Sequence, residues 1–269
     1  MKHKRALLIG INYTGTSHQL SGCINDAKNV GALLTAKGYV CTYLLDEEGQ
    51  TSPTRTNIMA AIRAFAAQTE PDDSLFFHYS GHGTSTHDSS GDELDGRDEA
   101  LCPLSGRSIT DDELRAALID PLPAGSTLFM LLDCCHSGTG ADLRYNYEDL
   151  SECTVRPMPV HFKLSEWKRT VHFRENAKCA ESRAAVICIS GCLDAQTSAD
   201  TVFDEKACGA MTAAFLRAIT HHQDGNLVHL YQYMACMLRC YRYSQVPQLS
   251  FGRGETDAAY AAGTAHLTL

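Results

Sequence analysis

Ser126-Thr127-Leu128-Phe129-Met130-Leu131-Leu132-Asp133-Cys134-Cys135-His136-Ser137-Gly138 decides the fold of this 269-residue chain. An apolar run of strand length stops abruptly in Asp, Cys, His, Ser and Gly. A buried strand that ends this way delivers reactive side chains to the open edge of a parallel sheet. The same pattern stands upstream in Ser74-Leu75-Phe76-Phe77-His78-Tyr79-Ser80-Gly81-His82-Gly83.

With these two runs included, the predicted strands are 5–11, 39–45, 74–79, 126–132 and 184–190. Helical patterns lie between them. The first, 26–37, follows an Asn25-Asp26 cap signal; the second, 56–68, is Ala-rich; the third, 111–118, has Thr110 as its N-cap. Strands alternating with helices predict an α/β fold with a mostly parallel sheet and helices on both faces. Two further helical patterns follow at 210–221 and 227–241, then a short apolar stretch at 265–267. Residues 145–182 hold Pro157, Pro159 and many charges without a sustained period, and read as a long surface connection. The expected organisation is one integrated domain: a larger N-terminal segment over residues 1–144, a linker over 145–183 and a smaller C-terminal segment over 184–269.

Composition bounds the function. Hydrophobic residues at 44% and charged residues at 20% suit a folded soluble protein, and a net charge of -9 argues against general nucleic-acid binding. The twelve cysteines include no C-x-x-C pair, and several sit inside apolar runs, as Cys188 does. Buried thiols in a reducing, cytoplasmic setting are expected rather than a disulfide framework. The basic start, Met1 to Arg5, is followed by too short an apolar stretch for a signal peptide, and no segment has membrane-span length.

Thiol and imidazole at one sheet edge are the equipment of nucleophilic hydrolysis. Further motifs accompany them: Ser21-Gly22-Cys23-Ile24-Asn25-Asp26-Ala27, Asp95-Gly96-Arg97-Asp98-Glu99-Ala100, Ile109-Thr110-Asp111-Asp112-Glu113-Leu114, Gln196-Thr197-Ser198-Ala199-Asp200 and Gln245-Val246-Pro247-Gln248-Leu249-Ser250. Together, and in this order, they resemble the metacaspases, cysteine peptidases of the caspase-like clan. The layout is most like type I, with no N-terminal prodomain expected. The resemblance implies a caspase-like three-layer α/β/α sandwich, a monomer, and protein or peptide substrates.

The resemblance also assigns roles. Cys135, directly before His-Ser-Gly, is the nucleophile. Cys134 points to the opposite face of an extended backbone and packs at the strand end. His82 is the base that activates the thiol and the acid that protonates the leaving amine. The histidine lies about 50 residues upstream of the cysteine, as in caspases. The backbone N–H groups of Gly83 and Cys135 form the oxyanion hole. Cys23, Asp26, Ser80 and Asp133 match the specificity pocket, where two carboxylates suit an Arg or Lys side chain and repel an acidic one.

By the same resemblance Asp95, Asp111, Asp112 and Asp142 hold Ca²⁺, a hard cation that takes oxygen ligands. The bland readings are an acidic helix first turn for Asp111 and Asp112, and a helix-start carboxylate for Asp26. Arg156, Lys163, Lys168, Arg169, Arg174 and Lys178 in the linker, with Arg183 just after them, offer self-processing sites to an enzyme with an acidic pocket. Rival readings are a clan peptidase of other specificity, legumain-like or separase-like, and a pseudoenzyme that serves as a binding module. Zinc is disfavoured: Cys134, Cys135 and His136 are neighbours that cannot all reach one ion, and His78 and His82 do not share a helix face.

Overall fold

The computed structural model describes residues 3–87, 97–134, 141–148, 172–191, 200–203, 206–221, 227–243 and 245–254. Its frame is an eight-stranded sheet. β1 (Lys4–Gly10), β2 (Val40–Leu45), β3 (Ser74–Ser80), β7 (Thr127–Asp133) and β10 (Ala185–Ser190) are the five apolar runs of the sequence. They pair in parallel in the order β2-β1-β3-β7-β10. β13 (Gln248–Phe251), β8 (Tyr145–Glu148) and β9 (His172–Glu175) extend that sheet as antiparallel strands. Two smaller sheets stand beside it: β4 (Gly83–His87), β5 (Arg97–Leu101) and β6 (Ile109–Thr110), and the pair β11 (Asp200–Phe203) and β12 (Lys206–Gly209).

Side chains alternate across the sheet and build two cores. Leu7, Ile9, Leu75, Phe77, Leu128 and Met130 pack on α2 (Arg55–Ala67) and on α3 (Asp111–Leu114) with the π turn that continues it (Arg115–Ile119). Leu8, Phe76, Phe129, Leu131 and Ile187 pack on the other face against α1 (Cys23–Ala36), α4 (Ala210–His221) and α5 (Leu227–Cys240). Phe76, Phe129 and Phe215 stack there with centroids 5.2 to 6.1 Å apart. Burial of each such side chain contributes about 1.5–3 kcal/mol. The result is the expected three-layer α/β/α sandwich.

Three local expectations change. α1 begins at Cys23, before the expected Asn25-Asp26 cap, because the Asn12 side chain accepts the Ile24 N–H (3.3 Å) and supplies the cap from outside the helix. α3 keeps its Thr110 cap, completed as a capping box with Glu113, but ends at Leu114. The Asp120 N–H then reaches back five residues to the Arg115 carbonyl. The linker region contributes β8 and β9 to the main sheet rather than running wholly over the surface, and the stretch between those strands lies outside the described residues. So does the apolar stretch at 265–267.

Candidate active site

β3 and β7 are parallel neighbours with Ser80 opposite Asp133, and the Gly81 N–H donates to the Asp133 carbonyl at 3.3 Å. His82 follows Ser80 by two positions, as Cys135 follows Asp133. The two strands therefore end level with each other at the edge where the sequence places the dyad. Cys134 is 1% exposed and belongs to the α2-side core, as expected. Asp133 turns to the α4 side. Cys135 lies outside the described residues.

His82 is held from several directions. Its Nε2 lies 2.7 Å from the His18 carbonyl. A carbonyl only accepts, so Nε2 carries the proton and Nδ1 is the basic nitrogen. The imidazole also packs on the Tyr13 ring, with centroids 4.7 Å apart. Its backbone N–H donates to Tyr13 Oη (2.9 Å), and its carbonyl accepts from Tyr79 Oη (2.8 Å) and from the Cys102 N–H (3.0 Å). Gly83 opens β4 opposite Leu101.

The two carboxylates expected to line the specificity pocket converge. Asp26 and Asp133 are 0% and 3% exposed. Asp26 Oδ2 accepts from Ser80 Oγ (2.8 Å) and from the Gly209 N–H (2.9 Å). Asp133 Oδ2 accepts from both the N–H and the hydroxyl of Thr212, each at 2.8 Å. Gly209 and Thr212 are the entrance to α4, where partial positive charge stabilises anions. A Cβ on Gly209 would collide with Asp133 Oδ2 and stand 2.9 Å from Asp26 Oδ2, so both acids border one residue that must be glycine. Asp26 is thus bound to the start of α4, not only placed in the first turn of its own helix. Cys23 is buried one turn before Asp26, and Gly22 packs on the backbone of Cys208 beside Gly209.

The expected calcium ligands are less gathered. Asp111 Oδ2 accepts the Glu99 N–H (2.7 Å) and its Oδ1 the Asp112 N–H (2.9 Å). Asp142, 3% exposed, presents its carbonyl to the Arg115 guanidinium, which ties it to the end of α3. Asp95 lies outside the described residues. Among the described residues no group of three or more His, Cys, Asp or Glu side chains is arranged to hold a metal. The donors are nonetheless all carboxylate oxygens, two of them on buried residues, which is the chemistry a hard cation takes.

The sequence did not single out Tyr13, Tyr79, the His18 carbonyl, Gly209 or Thr212. A backbone carbonyl leaves no side-chain signal. For Gly209 and Thr212 the one available hint is a Gly followed closely by Thr at the start of an apolar helix.

The family model for the metacaspase, peptidase C14 domain matches residues 4–144. Metacaspase-1 of Cryptococcus neoformans is 38% identical over 92% of this chain and 62% of its own length; this chain therefore spans less than two thirds of that relative. Metacaspase-1 of Schizosaccharomyces pombe is 37% identical over 92% of this chain and 67% of its own. Among solved structures, a protein from Geobacter sulfurreducens superposes with a TM-score of 0.64 at 27% identity, covering 93% of each chain. Caspase-1 from Spodoptera frugiperda gives 0.53 at 11% identity, over 93% of this chain and 86% of its own, a likeness of fold. The strand ends, the histidine turn and Asp133 all fall inside the matched stretch, and the chain belongs to the metacaspase family.

Proposed function

We propose that this chain is a cysteine endopeptidase that cleaves after Arg or Lys. One observation carries the reading: two buried carboxylates, Asp26 and Asp133, border Gly209 directly below the edge that bears His82. Buried anions with neutral donors on one side favour a guanidinium or ammonium on the other. Cys135 attacks the scissile carbonyl as His82 Nδ1 takes the thiol proton. The His18 carbonyl accepts from Nε2–H and so leaves Nδ1 free to take that proton. The N–H groups of Gly83 and Cys135 receive the oxyanion. The imidazolium then protonates the leaving amine, and water hydrolyses the thioester with His82 again as base.

A panel of tetrapeptide amides ending in Arg, Lys, Asn or Asp tests this. Turnover after Arg and Lys is expected, together with labelling of Cys135 by a peptidyl-Arg chloromethyl ketone that His82→Ala abolishes. Faster cleavage after Asp or Asn would overturn it.

Asp95, Asp111, Asp112 and Asp142 are the proposed Ca²⁺ ligands. These carboxylates would hold the ion, whose charge would offset theirs, and binding would raise activity by ordering the loops beside the active site. A Ca²⁺-dependent rise in thermal stability of Cys135→Ala, lost in Asp111→Asn, is the expected readout. Self-processing is proposed after Arg156, Lys163, Lys168 or Arg169. Lys178 lies beyond β9, and Arg174 lies within it. The Arg183 guanidinium donates to the Asp120 carbonyl (2.8 Å) and its own carbonyl accepts from Arg253 (2.9 Å), which makes it a poor cleavage site. The protein is further proposed to act as a monomer in the reducing cytoplasm. Among the described residues no helix is long and apolar enough to cross a membrane.

A further inference from the structure

We infer that Tyr13 and Tyr79 are positioning residues that aim the Gly83 N–H and, with it, the oxyanion hole. The inference rests on the peptidase reading above and gives a part in it to two residues that the sequence left without a role.

The register of β4 and β5 comes first. Gly83 lies opposite Leu101 and Thr84 opposite Ala100, so His82 lies opposite Cys102. The Cys102 N–H donates to the His82 carbonyl, which makes 82/102 a hydrogen-bonded pair. In a regular ladder the His82 N–H would return the bond to the Cys102 carbonyl. Instead it donates to Tyr13 Oη at 2.9 Å, and Tyr13 Oη donates to the Cys102 carbonyl at 2.6 Å. A phenol hydroxyl is spliced into the ladder where a direct bond belongs. The next pair, 83/101, is by alternation non-hydrogen-bonded, so the Gly83 N–H points away from β5.

That N–H shares a rigid plane with the His82 carbonyl, the two pointing in opposite directions. Whatever holds the carbonyl therefore aims the N–H. The holders are the Cys102 N–H at 3.0 Å and Tyr79 Oη at 2.8 Å. Tyr79 Oη also lies 2.9 Å from the Cys102 carbonyl. Each of the two carbonyls already accepts one bond, from the Cys102 N–H and from Tyr13 Oη, and the shorter Tyr79 contact is the one to His82, which assigns the single Tyr79 proton there. Burial pushes the pKa of both phenols well above the ordinary tyrosine value, which keeps both as donors. Gly81 admits them: a Cβ there would stand 2.9 Å from Tyr79 Oη and 3.1 Å from Tyr13 Oη.

Tyr79→Phe removes one hydroxyl and keeps the buried ring. On an Arg-amide substrate, kcat is expected to fall by about tenfold, less than the loss from deleting an oxyanion donor outright, with KM within about twofold. Alkylation of Cys135 by iodoacetamide needs the thiolate and His82 but forms no oxyanion, and its rate is expected to hold. Tyr13→Phe is the second variant, with the same split expected if Tyr79→Phe does not fold. Unchanged kcat in the folded variant overturns the inference, and so does a parallel fall in turnover and alkylation, which would mean general loosening. A wild-type protein that is alkylated yet cleaves none of the Arg, Lys, Asn or Asp amides overturns the peptidase reading itself, and the inference with it.

Discussion

His82 is fixed through its backbone by neutral hydroxyls and a neighbouring strand, whereas Asp26 and Asp133 are fixed through their side chains by the start of a helix. The histidine's partners, Tyr13, His18, Tyr79 and Cys102, all come from the first 102 residues. The acids depend on Gly209 and Thr212, which stand 183 and 79 positions away from them. A dipolar scaffold orients the proposed catalytic histidine, and a distant helix terminus stabilises the two acids proposed to recognise substrate. Chemistry and specificity should therefore fail separately.

The strongest challenge to this division is expected from Asp133→Asn. If the two acids receive the substrate cation as proposed, removing one buried charge costs about 3–4 kcal/mol, so kcat/KM for Arg peptides should drop several hundredfold. Alkylation of Cys135 should change far less, because the carboxylate holds no part of His82. A comparable loss in both measurements would erase the separation.

A second effect comes from His78, which shares a strand face with Ser80 and so lies on the acid side. Its Nδ1 bonds to the Leu131 carbonyl at 3.0 Å, and its buried Nε2 has no partner among the described residues. Burial lowers its pKa to about 4, against a partial opposing pull from the Leu131 bond. The folded value lies below the unfolded one, so the unfolded chain takes up the proton first. Stability from this group is complete above about pH 6.5 and declines by about 3 kcal/mol as pH falls to about 4. Urea unfolding at pH 7, 5 and 4 should show that slope in the wild-type protein and a shallower one in His78→Leu.

The mildest substitution discriminates most finely between the two sides. Thr212→Val keeps the backbone donor to Asp133 and removes the hydroxyl, a loss of about 1.5 kcal/mol for a bond to a charged group. KM for Arg substrates should rise roughly tenfold with kcat little altered, and Thr212→Ser should restore it. An equal fall in kcat would place Thr212 on the chemical side of the division.

The five parallel strands were legible because fully buried strands are unbroken apolar runs, and α4 because its apolar stripe is strong. Strand alternation alone sends Cys134 to the face opposite Cys135, and Cys134 does lie in the α2-side core. β4, β5 and β6 were not legible: Gly83-Thr84-Ser85-Thr86-His87 is polar and short, and among the described residues it pairs with β5 alone. The start of α1 was misread because its cap comes from Asn12, outside the helix. In the site, Asp26, Ser80 and Asp133 were found through motif likeness and do share a centre. Gly209 and Thr212 escaped notice because the contact that gives them a role exists only once the chain has closed on itself.

One consequence of the sheet order concerns what a cut would release. β8 and β9 flank the stretch where self-processing is proposed, and the two strands bond to each other as well as to the body through β13. Severing the backbone between Glu148 and His172 would leave both new ends zipped side by side in one ribbon. Two bands would separate in detergent, while a native column would still elute a single particle of undivided size.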